Sequence, residues 1–384
     1  MHRLSPTVHD TPERTLLRDQ VARFVAHEID PFADAWEREG RTPKSLLARM
    51  GEAGLLGLAY ESAYGGAEAD ALTNLAFAES LSTACSHHGA VVTVLVHTDM
   101  ASPHLHHAGT AAQKARWLPG IVAGTTLTAV AITEPGAGSD VAGIRTRAVP
   151  SADGAHWVLN GSKLFITNGT QADLVFVAAK TGEGRHAMSI FAVPAGTPGF
   201  RVGRALDKTG WLSSDTAELV FEDCRVPADH LLGEEGKGFY AVMKNFQTER
   251  IALGAMAVGL CRQAIDATLE QVRDRQAFGG TLWDKQVVRQ TLARLDAKTR
   301  AARAFLHDCA WRVTQGDDAV QDVSMLKALT GDLAVEVTTG CQQLWGGSGY
   351  IRGTPVERMW RDARILAIGG GATEVMLDEA AKRY

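Results

Sequence analysis

The spacing of apolar residues changes twice along this chain, and that change constrains the fold more than any other feature. Up to about residue 120, apolar residues recur at helical steps, as in "TLLRDQVARFVAHEI" and "SLLARMGEAGLLGLA", with "YGGAEAD" as a glycine-rich break. From about 121 to 235 the pattern becomes short β-branched runs bounded by turn residues: "TLTAVAIT", "HWVLNGSKLFITNG", "ADLVFVAAK", "MSIFAVPAG" and "AELVFEDCRVP". After "GEEGKG" (Gly233 to Gly238) amphipathic helices resume and run nearly to Tyr384, with "GGSGYIRGTP" as the main interruption. A chain of 384 residues is too long for one compact core. The expectation is an α+β multidomain protein: a helical domain over 1–120, a β-domain over 121–235 and a second helical domain over 236–384. Within the β-domain "LNGS" predicts a hairpin, because Asn-Gly tolerates the positive φ of a tight turn.

One residue breaks the pattern of the third region. Val242, Phe246, Glu249, Leu253, Met256 and Leu260 follow one another at steps of four and three, which places all six on one helix face. Five are apolar and the sixth is a carboxylate. A carboxylate so placed is either held by a nearby Arg or backbone N–H, or kept for chemistry.

Charge and cysteine usage remove several function classes. A formal net charge of −5, spread without runs, gives no clustered basic face for nucleic acid or an anionic membrane. The five cysteines (Cys85, Cys224, Cys261, Cys309 and Cys341) are odd in number and form no C-x-x-C pair, so reduced thiols, no disulfides and a cytoplasmic location are expected. The opening "MHRLSPTVHDTPERTL" has early acidic residues and no apolar segment, and nowhere do eighteen apolar residues run together, so an unprocessed, soluble chain is expected. His97, His104, His106 and His107 lack a partnered carboxylate motif; no metal site is expected, and surface or capping roles are.

Helices, strands, then helices, together with "ITEPGAGSDVAGIRTRA" (Ile132 to Ala148), resemble the acyl-CoA dehydrogenase family. The likeness extends through "KLFITNG", "DKTGWLSSDTAELVFEDCRVP", "RQAFGGTLWDKQ", "QLWGGSGY" and "ERMWRDARILAIGGGATEV", from roughly residue 15 to the end. It implies a helical N-terminal domain, a middle β-barrel-like domain and a C-terminal four-helix bundle, with FAD as cofactor. On the residues alone, "TEPGAGSD" is a bend after a strand whose bare backbone admits a planar ring and leaves N–H groups free. By resemblance Val130, Ala131, Ile132, Thr133, Gly138 and Ser139 cradle the flavin, with Ser139 also near the pantetheine of CoA. Phe165, Ile166 and Thr167 are similar to the second flavin segment, although many members carry Trp where this chain has Phe165. Arg275, Phe278 and Gln286 match positions that reach the FAD of a neighbouring subunit, where an Arg fork suits pyrophosphate. Gln343, Leu344, Gly346 and Gly347 resemble the segment closing over that shared cofactor, and Ala372 and Glu374 are further cofactor positions. A homo-oligomer, by analogy a tetramer, follows.

The resemblance also gives Glu249 a task. Oxidising an acyl thioester between its α and β carbons requires a desolvated base for the α-proton and donors for the thioester oxygen. In many members the base is the Glu of a "YEGT" element, whose counterpart here is Gly369, Gly370, Gly371 and Ala372. The carboxylate position is Gly370. Isovaleryl- and long-chain-type branches carry the base instead in an "ER" pair on the first long helix of the C-terminal domain, and "FQTERIAL" matches it, with Glu249 as base and Arg250 beside it. Apolar walls raise the pKa of Glu249 while Arg250 opposes the rise. The Gly370 N–H is implied as a thioester donor, and Arg250, Gly369 and Gly371 as substrate contacts. His87 and His88 lie near the acyl end of the substrate or pack in the core; Arg361 and Asp362 recur as structural partners. The expected function is FAD-dependent dehydrogenation of an acyl-CoA, with electrons passed to an electron-transfer flavoprotein. The alternatives are a related flavoenzyme acting on carrier-protein thioesters or reacting with oxygen as an oxidase or monooxygenase, and a non-catalytic relative that keeps flavin as structure.

Overall fold

The computed structural model describes residues 5–184 and 187–384. The N-terminal region holds seven α-helices among the described residues: α1 (Pro12–Phe24), α2 (Asp30–Glu39), α3 (Ser45–Glu52), α4 (Ala71–Ala84), α5 (His88–Leu95), α6 (Pro103–Ala108) and α7 (Ala111–Val122). Their starts follow from local chemistry. Thr11, Asp70 and Thr110 accept from the third residue on, and Gln113 returns the bond to Thr110, closing a capping box.

Strands occupy the middle: β1 (Thr128–Ala131), β2 (Arg147–Pro150), β3 (His156–Thr167), β4 (Leu174–Lys180), β5 (Met188–Pro194), β6 (Phe200–Ala205), β7 (Thr216–Pro227) and β8 (Leu231–Leu232). They form one sheet in the order β6-β7-β3-β2-β4-β5-β8, with β1 added parallel to β4. The LNGS segment is not a hairpin: β3 runs straight through it. Asn160 and Asp223 exchange side-chain bonds with the neighbouring strand, and Gly161 absorbs a bulge at φ +148°, where a β-carbon would lie 2.7 Å from Thr146 Cα. The β2–β3 turn falls earlier, over Ser151 to Ala155.

The third region contains α8 (Gly238–Asp274), a short hairpin of β9 (Gln276–Ala277) and β10 (Gly280–Thr281), α9 (Gln286–Gln315), α10 (Val320–Trp345), α11 (Pro355–Ala363) and α12 (Thr373–Ala381). Helices α8, α9, α10 and α12 make the bundle, and α4 packs across α8 and α9. The two helical regions share one apolar core containing Leu75, Leu81, Met256, Leu260, Leu306 and Leu326, while the sheet keeps a second core around Leu159, Val175, Phe191 and Phe221. The five cysteines are buried and free. No helix among the described residues is long and apolar enough to cross a membrane.

Candidate active site

Helix α8 turns Val242, Leu253, Met256 and Leu260 inward, with Phe246 and Glu249 half-buried on the same face. A β-carbon built on Gly370 would lie 3.3 Å from Glu249 Oε1 and would overlap Leu253 Cδ1. The bare Gly370 and the carboxylate on α8 are therefore neighbours at one point. Gly370 has φ +64° and Gly371 φ +106°, so the turn itself favours glycine.

The carboxylate is unpaired. Among the described residues Glu249 has no hydrogen-bond donor and no ion-pair partner, although two cations are close enough to act on it. Arg250 is buried, turns to Ser324 Oγ (3.4 Å) and lies over the Phe246 ring at 5.1 Å. Lys327 of α10 is buried and donates to the carbonyls of Leu366 (2.7 Å) and Gly371 (2.6 Å). Burial raises the Glu249 pKa to about 7, against the opposing pull of Arg250 and Lys327. Desolvation thus wins over the Arg250 charge. Among the described residues the N–H groups of Gly370 and Gly371 also have no acceptor, which leaves donors beside the carboxylate.

The two segments expected to hold flavin are fastened to each other. Leu164 N donates to Thr133 O (2.9 Å), and the Lys163 ammonium bonds Ile132 O (2.9 Å) and Glu134 Oε1 (2.7 Å). Glu134 also accepts from the N–H groups of Arg145 and Thr146, and it closes the Pro135–Gly136 turn through paired backbone bonds with Ala137. The turn's outer side is bare. Gly136, Gly138 and Ser139 are exposed, a β-carbon on either glycine would touch nothing within 4 Å, and none of the three N–H groups has an acceptor among the described residues. Phe165 stands on a second bulge of β3 with φ +62° and 64% exposure, its ring thrown off the sheet. These features fit a planar ring system with hydrogen-bond acceptors along its edge. Ala131 and Ile166 have their side chains in the β-domain core, so only their main chain is free to contribute; Val130, Ile132, Thr133 and Thr167 are half-buried.

The remaining expected residues do not gather at Glu249. Arg275, Phe278 and Gln286 flank the β9–β10 hairpin, all exposed, with Phe278 at 90%. At 1.5 Å per residue, Arg275 is about 39 Å along α8 from Glu249. Gln343 and the open glycines Gly346 and Gly347 are exposed at the end of α10, with Leu344 half-buried; Gly369, Gly371 and Ala372 are half-buried around Gly370, and Glu374 is exposed.

Several histidines are placed differently from expectation. His97 and His104 are buried rather than at the surface, with His97 bridging Thr128 Oγ1 and Ile121 O. His87 bonds Asp34 (2.9 Å), in a network in which Arg358 holds Asp34 and Glu37 and Arg361 holds Glu37 and Glu357. Asp362 accepts from Trp211 N (2.6 Å), so Arg361 and Asp362 serve packing. Lys163 and Lys327 escaped the sequence reading. For Lys327 the signal was present: Val323, Lys327, Thr330, Ala334 and Val337 share a buried face of α10.

Fold and site together define a flavin-dependent oxidoreductase. The family models for the acyl-CoA dehydrogenase N-terminal domain (residues 11–125), middle domain (129–224) and C-terminal domain (236–384) all match, and the chain belongs to the acyl-CoA dehydrogenase family. It is 38% identical over 377 residues to the long-chain specific acyl-CoA dehydrogenase, mitochondrial, of Rattus norvegicus, covering 97% of this chain and 86% of that protein. Among solved structures it is similar to an acyl-CoA dehydrogenase from Geobacillus kaustophilus (37% identity, TM-score 0.94, 98% of this chain and 99% of that one). It is also similar to PigA with FAD and proline (26% identity, TM-score 0.94, 98% and 99% covered). FAD is the cofactor of this enzyme.

Proposed function

We propose that the enzyme converts a saturated acyl-CoA to the trans-2-enoyl-CoA, with Glu249 removing the α-proton. The observation that carries this reading is the 3.3 Å approach of Glu249 Oε1 to the position where a Gly370 side chain would begin. FAD, when bound, supplies the acceptor for the β-hydride. The protein's own part is to hold an ionisable base, half-buried, against the apolar face of α8. Near neutrality Glu249 is balanced between its two forms, which suits a general base, and it has no ion pair to break before taking a proton. The free Gly370 N–H supports a donor role toward the thioester oxygen, where negative charge grows as the proton leaves. Val130 to Thr133, Gly138, Ser139 and Phe165 to Thr167 would hold the flavin, and Ser139, Arg250, Gly369 and Gly371 would meet the substrate.

Absence of side chains at Gly369 and Gly370 favours longer or branched acyl groups. The distance from Arg275 to Glu249 exceeds what one cofactor spans from ring to pyrophosphate, so Arg275, Phe278, Gln286 and the Gln343–Gly347 segment would serve a neighbouring subunit's FAD in a homotetramer. An electron-transfer flavoprotein would take the electrons, and five free thiols suit the cytoplasm. The test is anaerobic mixing of the FAD-loaded enzyme with acyl-CoAs of graded length and branching. Bleaching of the flavin's visible absorbance, with slow return in air, is expected. No bleaching by any acyl-CoA would sink the reading, and immediate recolouring in air would convert it to an oxidase.

A further inference from the structure

Lys327 presents a chemical puzzle. Its side chain is 1% exposed, and burying an ammonium is costly unless a carboxylate compensates it. Here no carboxylate bonds it. Its ammonium instead spans two backbone carbonyls, those of Leu366 and Gly371, which stand on either side of Gly370. Leu366 lies in the 3-10 turn Arg364–Ala367, and Gly371 precedes the N-cap of α12. The chain between them donates two backbone N–H groups, those of Ile368 and Gly369, to the Ile365 carbonyl and then passes through two positive-φ glycines. A single side chain from a 26-residue helix thus pins both ends of the turn that carries the free Gly370 N–H.

We propose that Lys327 is a positioning residue: by tying Leu366 and Gly371 to α10 it fixes the Gly370 N–H against Glu249, so that donor and base meet the thioester in register. This rests on the dehydrogenase reading above. Thr373, which bonds Asp332 of the same helix at 2.8 Å, secures the following turn and leaves Lys327 as the side-chain anchor on the Gly370 side. The ammonium has a second effect through its charge. Together with Arg250 on α8 it pulls the Glu249 carboxyl down against desolvation, and these are the two charged groups that act on Glu249.

Two variants separate anchoring from simple core packing. Lys327→Met keeps the length and removes charge and donors; Lys327→Gln restores a neutral donor able to reach one carbonyl. In hydrogen exchange on the full chain, Lys327→Met should speed exchange over residues 366–373 by about tenfold or more relative to wild type, with β-domain segments unchanged. Anaerobic flavin reduction by an acyl-CoA that bleaches the wild type should slow by about 10- to 100-fold with little change in half-saturation. Lys327→Gln should recover part of that rate, and the rising limb of the Met variant's pH profile should move to higher pH. Unchanged exchange over 366–373, or an unchanged reduction rate and pH limb, overturns the proposal. Should Lys327→Met not fold, the same readouts on Lys327→Gln decide the matter: intermediate exchange and rate support anchoring, wild-type values refute it. Should the wild type be bleached by no acyl-CoA, the dehydrogenase reading fails by itself, and the exchange result still reports whether Lys327 holds the turn.

Discussion

Among the described residues two lysines are buried, one in the β-domain and one in the helical bundle, and they dispose of their charge in opposite ways. Lys163 is fully buried and spends its ammonium on Glu134 at 2.7 Å; Lys327 gives its ammonium to carbonyls and leaves Glu249 alone. Burial pushes both lysines down to about 8. The carboxylates diverge. Burial pushes Glu134 upward, but Lys163 and the Thr146 and Arg145 N–H groups overcome it and hold its pKa below the ordinary value, while Glu249 rises to about 7. An ion pair ties together the segments proposed to bind flavin; a withheld ion pair leaves the proposed base. The difference is made by geometry, since the residue types are the same.

The sharpest way to break this comparison is to neutralise each carboxylate. Glu249→Gln should keep FAD and lower the rate of flavin reduction by roughly 10²–10⁴-fold, the usual worth of a positioned base. Glu134→Gln should act on the fold instead. It leaves Lys163 buried without its counter-ion, and denaturant unfolding should show a loss of about 3–5 kcal/mol with weakened FAD retention. Adding Lys163→Met to Glu134→Gln should restore part of that loss, because the stranded charge is gone. A normal turnover in Glu249→Gln, or a strong stability loss there and none in Glu134→Gln, would invert the assignment.

Next in size is the glycine that makes room. Gly370→Ala places a methyl into Leu253 and onto a positive-φ residue, costs that together come to roughly 2–4 kcal/mol of unfolding free energy. Thermal unfolding checks it. If alanine is accommodated at no cost, Gly370 is not the gap into which Glu249 reaches. The same contact sets the two carboxylate positions against each other: a Glu at 370 would begin 3.3 Å from the existing carboxylate.

Much of this was legible in the sequence, and the failures have causes. The helix–strand–helix succession survives because periodicity reports which face is buried, and Glu249 stood out by the same rule. Its titration did not, since the balance between apolar walls and Arg250 depends on where the guanidinium points, and it points to Ser324. Asn160-Gly161 was misread as a hairpin because the positive φ that suits a two-residue turn also suits a bulge; only the pairing of β3 with β7 distinguishes them. Lys327 was passed over because a lysine in a helix is ordinarily solvated, and its two acceptors lie 39 and 44 residues further along the chain. His97 was placed at the surface because a histidine cluster reads as polar, whereas Thr128 and Ile121 satisfy its ring inside.

The smallest effect is also the most specific. Glu249 has a folded pKa of about 7, above its ordinary 4.5, so the folded state holds that proton more tightly than the unfolded chain does. Stability from this group is therefore complete below pH 4.5 and is lost as pH rises from there through about 7. Gln, which never ionises, escapes the loss. Glu249→Gln should match the wild type in unfolding free energy near pH 4.5 and exceed it at pH 8, by about 1–2 kcal/mol once partial exposure is allowed for. Over the same interval the wild-type rate of flavin reduction should climb along a limb near pH 7, as the base loses its proton. The two curves must mirror each other, with activity gained where stability is given up. Glu134→Gln should behave oppositely, worse than wild type at pH 8, because Glu134 is held below its ordinary pKa and contributes most when ionised. Parallel stability curves for the two variants would mean that the bundle carboxylate is a structural partner like the one in the sheet, and that the withheld ion pair does not exist.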